Sequence, residues 1–188
     1  MDSDLADAVE GLKTAFQKRN IKAVFDKAPP ELAEQLKKQL RIPIRYRNFL
    51  LKANPVGVET VTPVERVRLM PADELVKAQP SHPNWKANWV IVAESSLLSD
   101  PYFLDVTRID AEDDCPVFTA MSGNNHWQPT LAASSFAQFL RILSTAMEIA
   151  AGFGDGIMDD EDEDSFRESL GPKVKVIDAP ALRAGHWT

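Results

Sequence analysis

The spacing of apolar residues changes twice along this chain, and that double change limits the fold more than any other feature. Up to Ala53 they recur every three or four residues, which lays them along one stripe of a helix. Between Val56 and Ala120 they gather into short β-branched and aromatic runs, and beyond Ser135 the helical spacing returns. Helices, then strands, then a helix is the order of an α+β domain, not of alternating βαβ units.

Leu5, Ala8, Val9, Leu12 and Phe16 predict a first amphipathic helix over 4–18. Pro29-Pro30 suits a first helical turn, where the missing N–H is not needed, and Leu32, Leu36 and Leu40 extend a second helix over about 30–40. Pro43 starts a third, with Tyr46, Phe49, Leu50 and Ala53 inward, until Asn54-Pro55 stops it. Strand candidates follow at Val56-Gly57-Val58 and Arg66-Val67-Arg68-Leu69, then a brief helix after Pro71 carrying Leu75 and Val76.

Trp89-Val90-Ile91-Val92-Ala93 is apolar throughout, as a strand covered on both faces would be. Tyr102 to Thr107 alternates, Pro116 to Ala120 resembles it, and Asp110 to Asp114 between them suits a hairpin loop. Ser122-Gly123-Asn124-Asn125 reads as a turn, with Trp127 in the core or at the sheet edge. Ser134 or Ser135 caps a long helix with Phe136, Phe139, Leu140, Leu143 and Met147 on one face, and Ala151-Gly152-Phe153-Gly154 ends it.

The expected architecture is therefore N-terminal helices, a central antiparallel meander, a long closing helix packed on the sheet, and an acidic C-terminal extension. With 188 residues, 44% of them hydrophobic, there is room for one domain with an appendage. We place the domain at 1–150. Residues 151–188 then form a linker, solvated through the run Asp159 to Asp164, and a tail with one possible strand at Val174-Lys175-Val176-Ile177.

The formal charge of -7 has the wrong sign for neutralising phosphates, so no nucleic acid is expected as a partner. The acid excess lies after residue 75; the first 75 residues are close to neutral. A single cysteine, Cys115, excludes an intramolecular disulfide and a cysteine-based zinc site. No apolar run approaches the roughly 18 residues that span a bilayer, and Met1-Asp2-Ser3-Asp4-Leu5 lacks the features of a leader. The expectation is a soluble cytoplasmic protein with no membrane partner and no cofactor.

Ile42-Pro43-Ile44-Arg45-Tyr46-Arg47-Asn48-Phe49-Leu50-Leu51-Lys52-Ala53-Asn54 resembles the signature of the SUKH superfamily. That signature runs leucine-proline, tyrosine, phenylalanine-leucine, asparagine-glycine. The later blocks follow in the family's order: Val90 to Ala93, Ser99 to Asp105, Cys115 to Phe118, Trp127, and Ala133 to Leu140. The resemblance covers about residues 28 to 143. Pro55 stands where the family usually has glycine, so the turn after the third helix must differ in geometry.

The superfamily joins bacterial toxin-immunity proteins with a fungal regulator of cell-wall assembly. The resemblance implies a non-enzymatic protein that neutralises a cognate toxin by docking on it, with a regulatory scaffold binding several partners as the alternative. The acidic second half suits a basic partner such as a nuclease. Expected contact residues are Asp100, Asp110, Glu112, Asp113 and Asp114, with Trp85 from the polar loop that begins at Ser81. Trp89 is read as core; Trp187 is either disordered or docked.

Catalytic candidates are few. Asp105, where the family tends to keep an aspartate, is either a charged contact or acid, or a carboxylate accepting hydrogen bonds at a strand end. Cys115 and His126 form a nucleophile and base only if the fold brings them together; otherwise Cys115 is a small buried residue. They, or Asp105, define the small-enzyme alternative. His82 and His186 lack metal-ligand spacing, and the carboxylate run lacks the alternation and glycine of a calcium loop. No metal is expected.

Overall fold

The computed structural model describes residues 1–79, 84–121, 126–153 and 160–188. Three helices come first: α1 (Ser3–Lys18), α2 (Pro30–Gln39) and α3 (Ile44–Ala53), with strand β1 (Val24–Asp26) between the first two. Asp2 caps α1 by accepting from the Leu5 N–H at 3.0 Å. The predicted inward residues Tyr46, Phe49, Leu50 and Ala53 are all buried.

Asn54-Pro55, predicted only as a stop, belongs to β2 (Asn54–Val56), which pairs antiparallel with β1. Proline is tolerated there because a two-stranded ribbon has free edges on which no N–H is required. Of the expected strand at 56–58, only Val56 is in β2. Gly57 turns the chain at φ 63°, a left-handed position that glycine fills without strain, and Val58 is buried beyond it.

The main sheet is a meander of β3 (Glu59–Val61), β4 (Arg66–Leu69), β5 (Trp89–Ser95), β6 (Pro101–Asp105), β7 (Val117–Thr119) and β8 (Thr130–Ala133). All neighbours are antiparallel and in chain order. The short helix α4 (Leu75–Ala78) lies between β4 and β5; Leu75 is buried and Val76 exposed. Both faces of the sheet centre are covered, so β6 is buried throughout where the sequence shows alternation. Tyr102 packs on Phe139 at 5.1 Å on one face, while Phe103 meets Trp85, Trp89 and Phe118 on the other. Trp85, from the loop before β5, thus adds a second layer where an α/β protein would use a helix.

The closing helix α5 (Phe136–Ala150) starts from Ser135, whose hydroxyl accepts from the Gln138 N–H at 3.1 Å. It is buried on more than the predicted face, because α1 packs along it as well as the sheet. Gly11 of α1 faces Ser144 of α5, and a Cβ there would make only ordinary contact, 3.7 Å from the Ser144 hydroxyl.

The C-terminal expectation is corrected. From Asp160 the supposed solvated run forms the start of α6 (Asp160–Ile177), and α7 (Ala179–Arg183) follows. Carboxylates at a helix N-terminus face its positive end, and that field offsets their mutual repulsion. The run then leads into Phe166, Leu170 and Val174, four apart and all buried. The strand expected at 174–177 is the last turn of α6, with Val174 inward and Val176 outward.

Asp178 caps α7 through the Ala181 N–H and holds the Ser134 hydroxyl at 2.9 Å. Trp187 is docked: its indole N–H donates to the Ala132 carbonyl at 2.7 Å. Phe166, Leu170, Val174, Ala181 and Trp187 join the same hydrophobic cluster as Leu5 and Phe139, so residue 150 divides one continuous core. The turn expected at 122–125, together with Ser81 and His82, lies outside the described residues. Among the described residues no helix is long and apolar enough to cross a membrane.

Candidate functional site

Two polar features stand out, one at each end of β6. The first is the acidic loop after Asp105. Asp110 Oδ1 accepts from the N–H groups of Glu112 at 2.8 Å and Asp114 at 3.1 Å, and Asp113 sits at φ 58°. An aspartate folding its own loop in this way fixes the backbone with local bonds. Asp110, Glu112 and Asp113 are left exposed.

Asp114 is different, and its assignment as a contact residue is corrected: it is buried, because its bonds are all internal. Its Oδ1 accepts from Cys115 N–H at 2.8 Å and Phe136 N–H at 3.1 Å, and Oδ2 meets Arg45 Nη1 at 3.1 Å. Burial pushes its carboxyl up, against the pull of the two N–H bonds and of Arg45.

Arg45 is the hub. Its guanidinium holds Asp2 through two bonds of 2.9 and 2.7 Å and Asp4 at 2.9 Å, with Glu112 at 3.6 Å. Hydrogen bonds from Arg45 hold the Asp2 carboxyl well below the usual carboxylate range, and those from Arg141 and Arg45 lower Asp4. One cation therefore gathers carboxylates from α1 and from the loop. The resulting face is net acidic and carries Asp2, Asp4, Asp110, Glu112 and Asp113.

The other expected contacts lie elsewhere. Trp85 stays in its loop but is half-buried and packed against the core: it meets Trp89 and Trp127 edge-on, each at 5.2 Å, and its N–H donates to the Trp89 carbonyl. Asp100 is half-buried at the opposite end of β6 from the loop.

Asp105 accepts from Thr107 N–H, the Thr107 hydroxyl and Asn88 at 3.1, 2.6 and 2.8 Å, the strand-end reading. Burial raises its carboxyl, but these bonds outweigh that and leave it below the ordinary value. Cys115 is buried, and burial beside Asp114 and Asp105 pushes its thiol up, opposite to what a nucleophile needs. The His126 ring is exposed.

The second feature escaped the sequence reading. A cavity of about 470 Å³ opens between the sheet, α5, α6 and the C-terminal turn, and Asp100 lines it. At its wall the Tyr102 hydroxyl donates to Glu65 Oε2 at 2.7 Å and lies 2.8 Å from His186 Nε2. A hydroxyl has one proton, so while Glu65 is ionised the His186 Nε2 must carry the proton that it gives to Tyr102. Burial pushes the Glu65 carboxyl up and pulls the His186 ring down to about 4. These partners are 37 and 84 residues apart in sequence, and no spacing signal connects them.

Among the described residues no three His, Cys, Asp or Glu side chains are grouped to hold a metal ion. No protein-family model, curated protein or solved structure matches the chain.

Proposed function

We propose that this chain is a non-enzymatic binding protein that docks its acidic face on a basic protein, in the manner of an immunity protein blocking a cognate toxin. One observation carries the reading: Asp110, Glu112 and Asp113 are exposed on a loop already fixed by Asp110 Oδ1 and anchored through Asp114 to Arg45 and α5. A preformed loop loses little conformational freedom when a partner binds.

Carboxylates held in place this way attract a basic surface before contact, and they occupy positions that substrate phosphates would take on a nuclease. The resemblance to the SUKH superfamily supplies the toxin class, with a nuclease the best fit to the charge. Asp2 and Asp4 extend the same face. Asp114 anchors it from behind.

Co-purification with the products of neighbouring reading frames, followed by stopped-flow association, tests this. The expected partner is basic and forms a one-to-one complex whose association slows at least roughly tenfold from low to high salt. Asp110→Asn/Glu112→Gln/Asp113→Asn slows association at low salt without changing the melting temperature. A partner that associates at the same rate in all salts, or equally fast with the triple variant, removes this face from the mechanism.

A further inference from the structure

We propose that the cavity between the sheet and α6 is a binding site for a small organic cation, an ammonium carried on a short apolar stem. The site is distinct from the acidic loop, which lies at the other end of β6, and the inference does not depend on docking.

The cavity, about 470 Å³, is of the size that holds small ligands. Its walls divide by chemistry. Leu143, Ala146, Phe166 and Leu170 supply apolar surface from α5 and α6, while Glu65 and Asp100 bring two carboxyl groups to the same space. Leu98 and Met121 also line it, and both are well exposed, at 65% and 68%. A solitary exposed apolar side chain is ordinary, but two on a cavity wall place apolar surface where a ligand enters.

Charge selects the ligand's sign. Arg167 is the cation of the lining, yet its Nε and Nη2 are engaged by Glu163 at 2.9 and 2.8 Å. Its Nη1 faces the carbonyls of His186 and Thr188 at 3.4 and 3.3 Å. Its donors point at Glu163 and the C-terminal turn and none is free for a ligand, although its charge still reaches Glu65 and His186. His186 is held neutral by burial and hydrogen-bonded to Tyr102.

Glu65 is left as a partly buried carboxyl, hydrogen-bonded by Tyr102 on Oε2 and by the Ser95 side chain, with no cation within salt-bridge distance among the described residues except the neutral His186 ring at 4.0 Å. An arriving ammonium would donate to Glu65 and favour its ionised form, which the Tyr102 hydroxyl then stabilises. An anion would meet two carboxyl groups and a committed guanidinium.

The test uses three probes of equal carbon count on the full chain: n-butylammonium, butan-1-ol and butanoate. Binding is followed by the NMR signals of the Tyr102 and His186 rings and by the melting temperature. We expect saturable shifts with n-butylammonium, at least roughly tenfold weaker binding of butan-1-ol, and none of butanoate. Raising the pH through the Glu65 titration strengthens ammonium binding. Glu65→Gln weakens it roughly 10- to 100-fold.

If that variant fails to fold, Asp100→Asn, expected to weaken binding several-fold, and the pH series on the unaltered chain decide the matter. Equal binding of the alcohol means an apolar hole only, preference for butanoate means that Arg167 governs the site, and unsaturable shifts mean no site. Each of these overturns the proposal.

Discussion

Replacing Arg45 by methionine isolates what the guanidinium does, since the stem's packing is largely kept and the charge is lost. The side chain is 8% exposed and its partner Asp114 1%, so the variant leaves a carboxylate buried without its cation. Breaking one partner of such a pair costs about 3–5 kcal/mol. Asp2 and Asp4 are nearly half exposed, and losing those pairs adds at most about 1 kcal/mol each.

Asp114→Asn added to Arg45→Met removes the stranded charge while Oδ1 still accepts from Phe136 and Cys115. The double variant should therefore recover most of the loss, to within about 1–2 kcal/mol of the parent. Acid should narrow the gap between the parent and Arg45→Met. Asp114 has a raised folded pKa, so the stability it contributes is present at low pH and lost as pH rises through that value; without Arg45 the loss is greater. Asp2 has a depressed folded pKa, chiefly through Arg45, so most of its stabilisation above about pH 4 belongs to the parent, which gives it up as pH falls; the variant keeps only the share from the Leu5 N–H. Urea unfolding at neutral pH and near pH 3, with unchanged m, reads both effects. A single-variant loss below about 1 kcal/mol at neutral pH, or a double variant no better than the single, would refute the reasoning.

A chain ending at Phe153 loses buried Phe166, Leu170, Val174 and Trp187 and should melt at least roughly 10 °C lower or not fold; an unchanged melting temperature would show that α6 is an appendage. Tyr46 Oη is buried with no hydrogen-bond partner among the described residues, so Tyr46→Phe should equal the parent or gain up to about 1 kcal/mol in urea unfolding, and a clear loss would reveal a hidden partner. His186, folded at about 4 against an ordinary 6.5, costs the fold up to about 3 kcal/mol as pH falls between those values. Glu65, with its raised folded pKa, works the other way. His186→Asn should thus be less acid-sensitive than the parent across that window in melting temperature, whereas an identical acid limb would place the ring in water.

What the sequence made legible is whatever one element encodes by itself. The stripe from Leu5 to Phe16, the proline before α3 and the Ser135 cap each announce a helix without help from the rest of the chain. β1, β3 and β8 carry no such announcement. Three or four residues hold too little alternation, and their partners, not their composition, make them strands. The acidic start of α6 misleads for the same reason in reverse: its carboxylates read as solvated chain, and only Phe166, Leu170 and Val174 against α5 and the sheet show why it is ordered.

The candidate sites divide along that line. Exposure of Asp110, Glu112 and Asp113 is legible because a loop of adjacent acids announces itself, while burial of Asp114 in the same run is not, because composition does not reveal which acid turns inward. Glu65, Tyr102 and His186 come from a turn, a strand and the chain's end, and each is ordinary where it stands. Their chemistry exists only after α6 and α7 have folded back and brought His186 to the sheet. Any ligand of the cavity is consequently linked to the docking of the C-terminal segment, and should stabilise that segment by as much as the docked segment strengthens its binding.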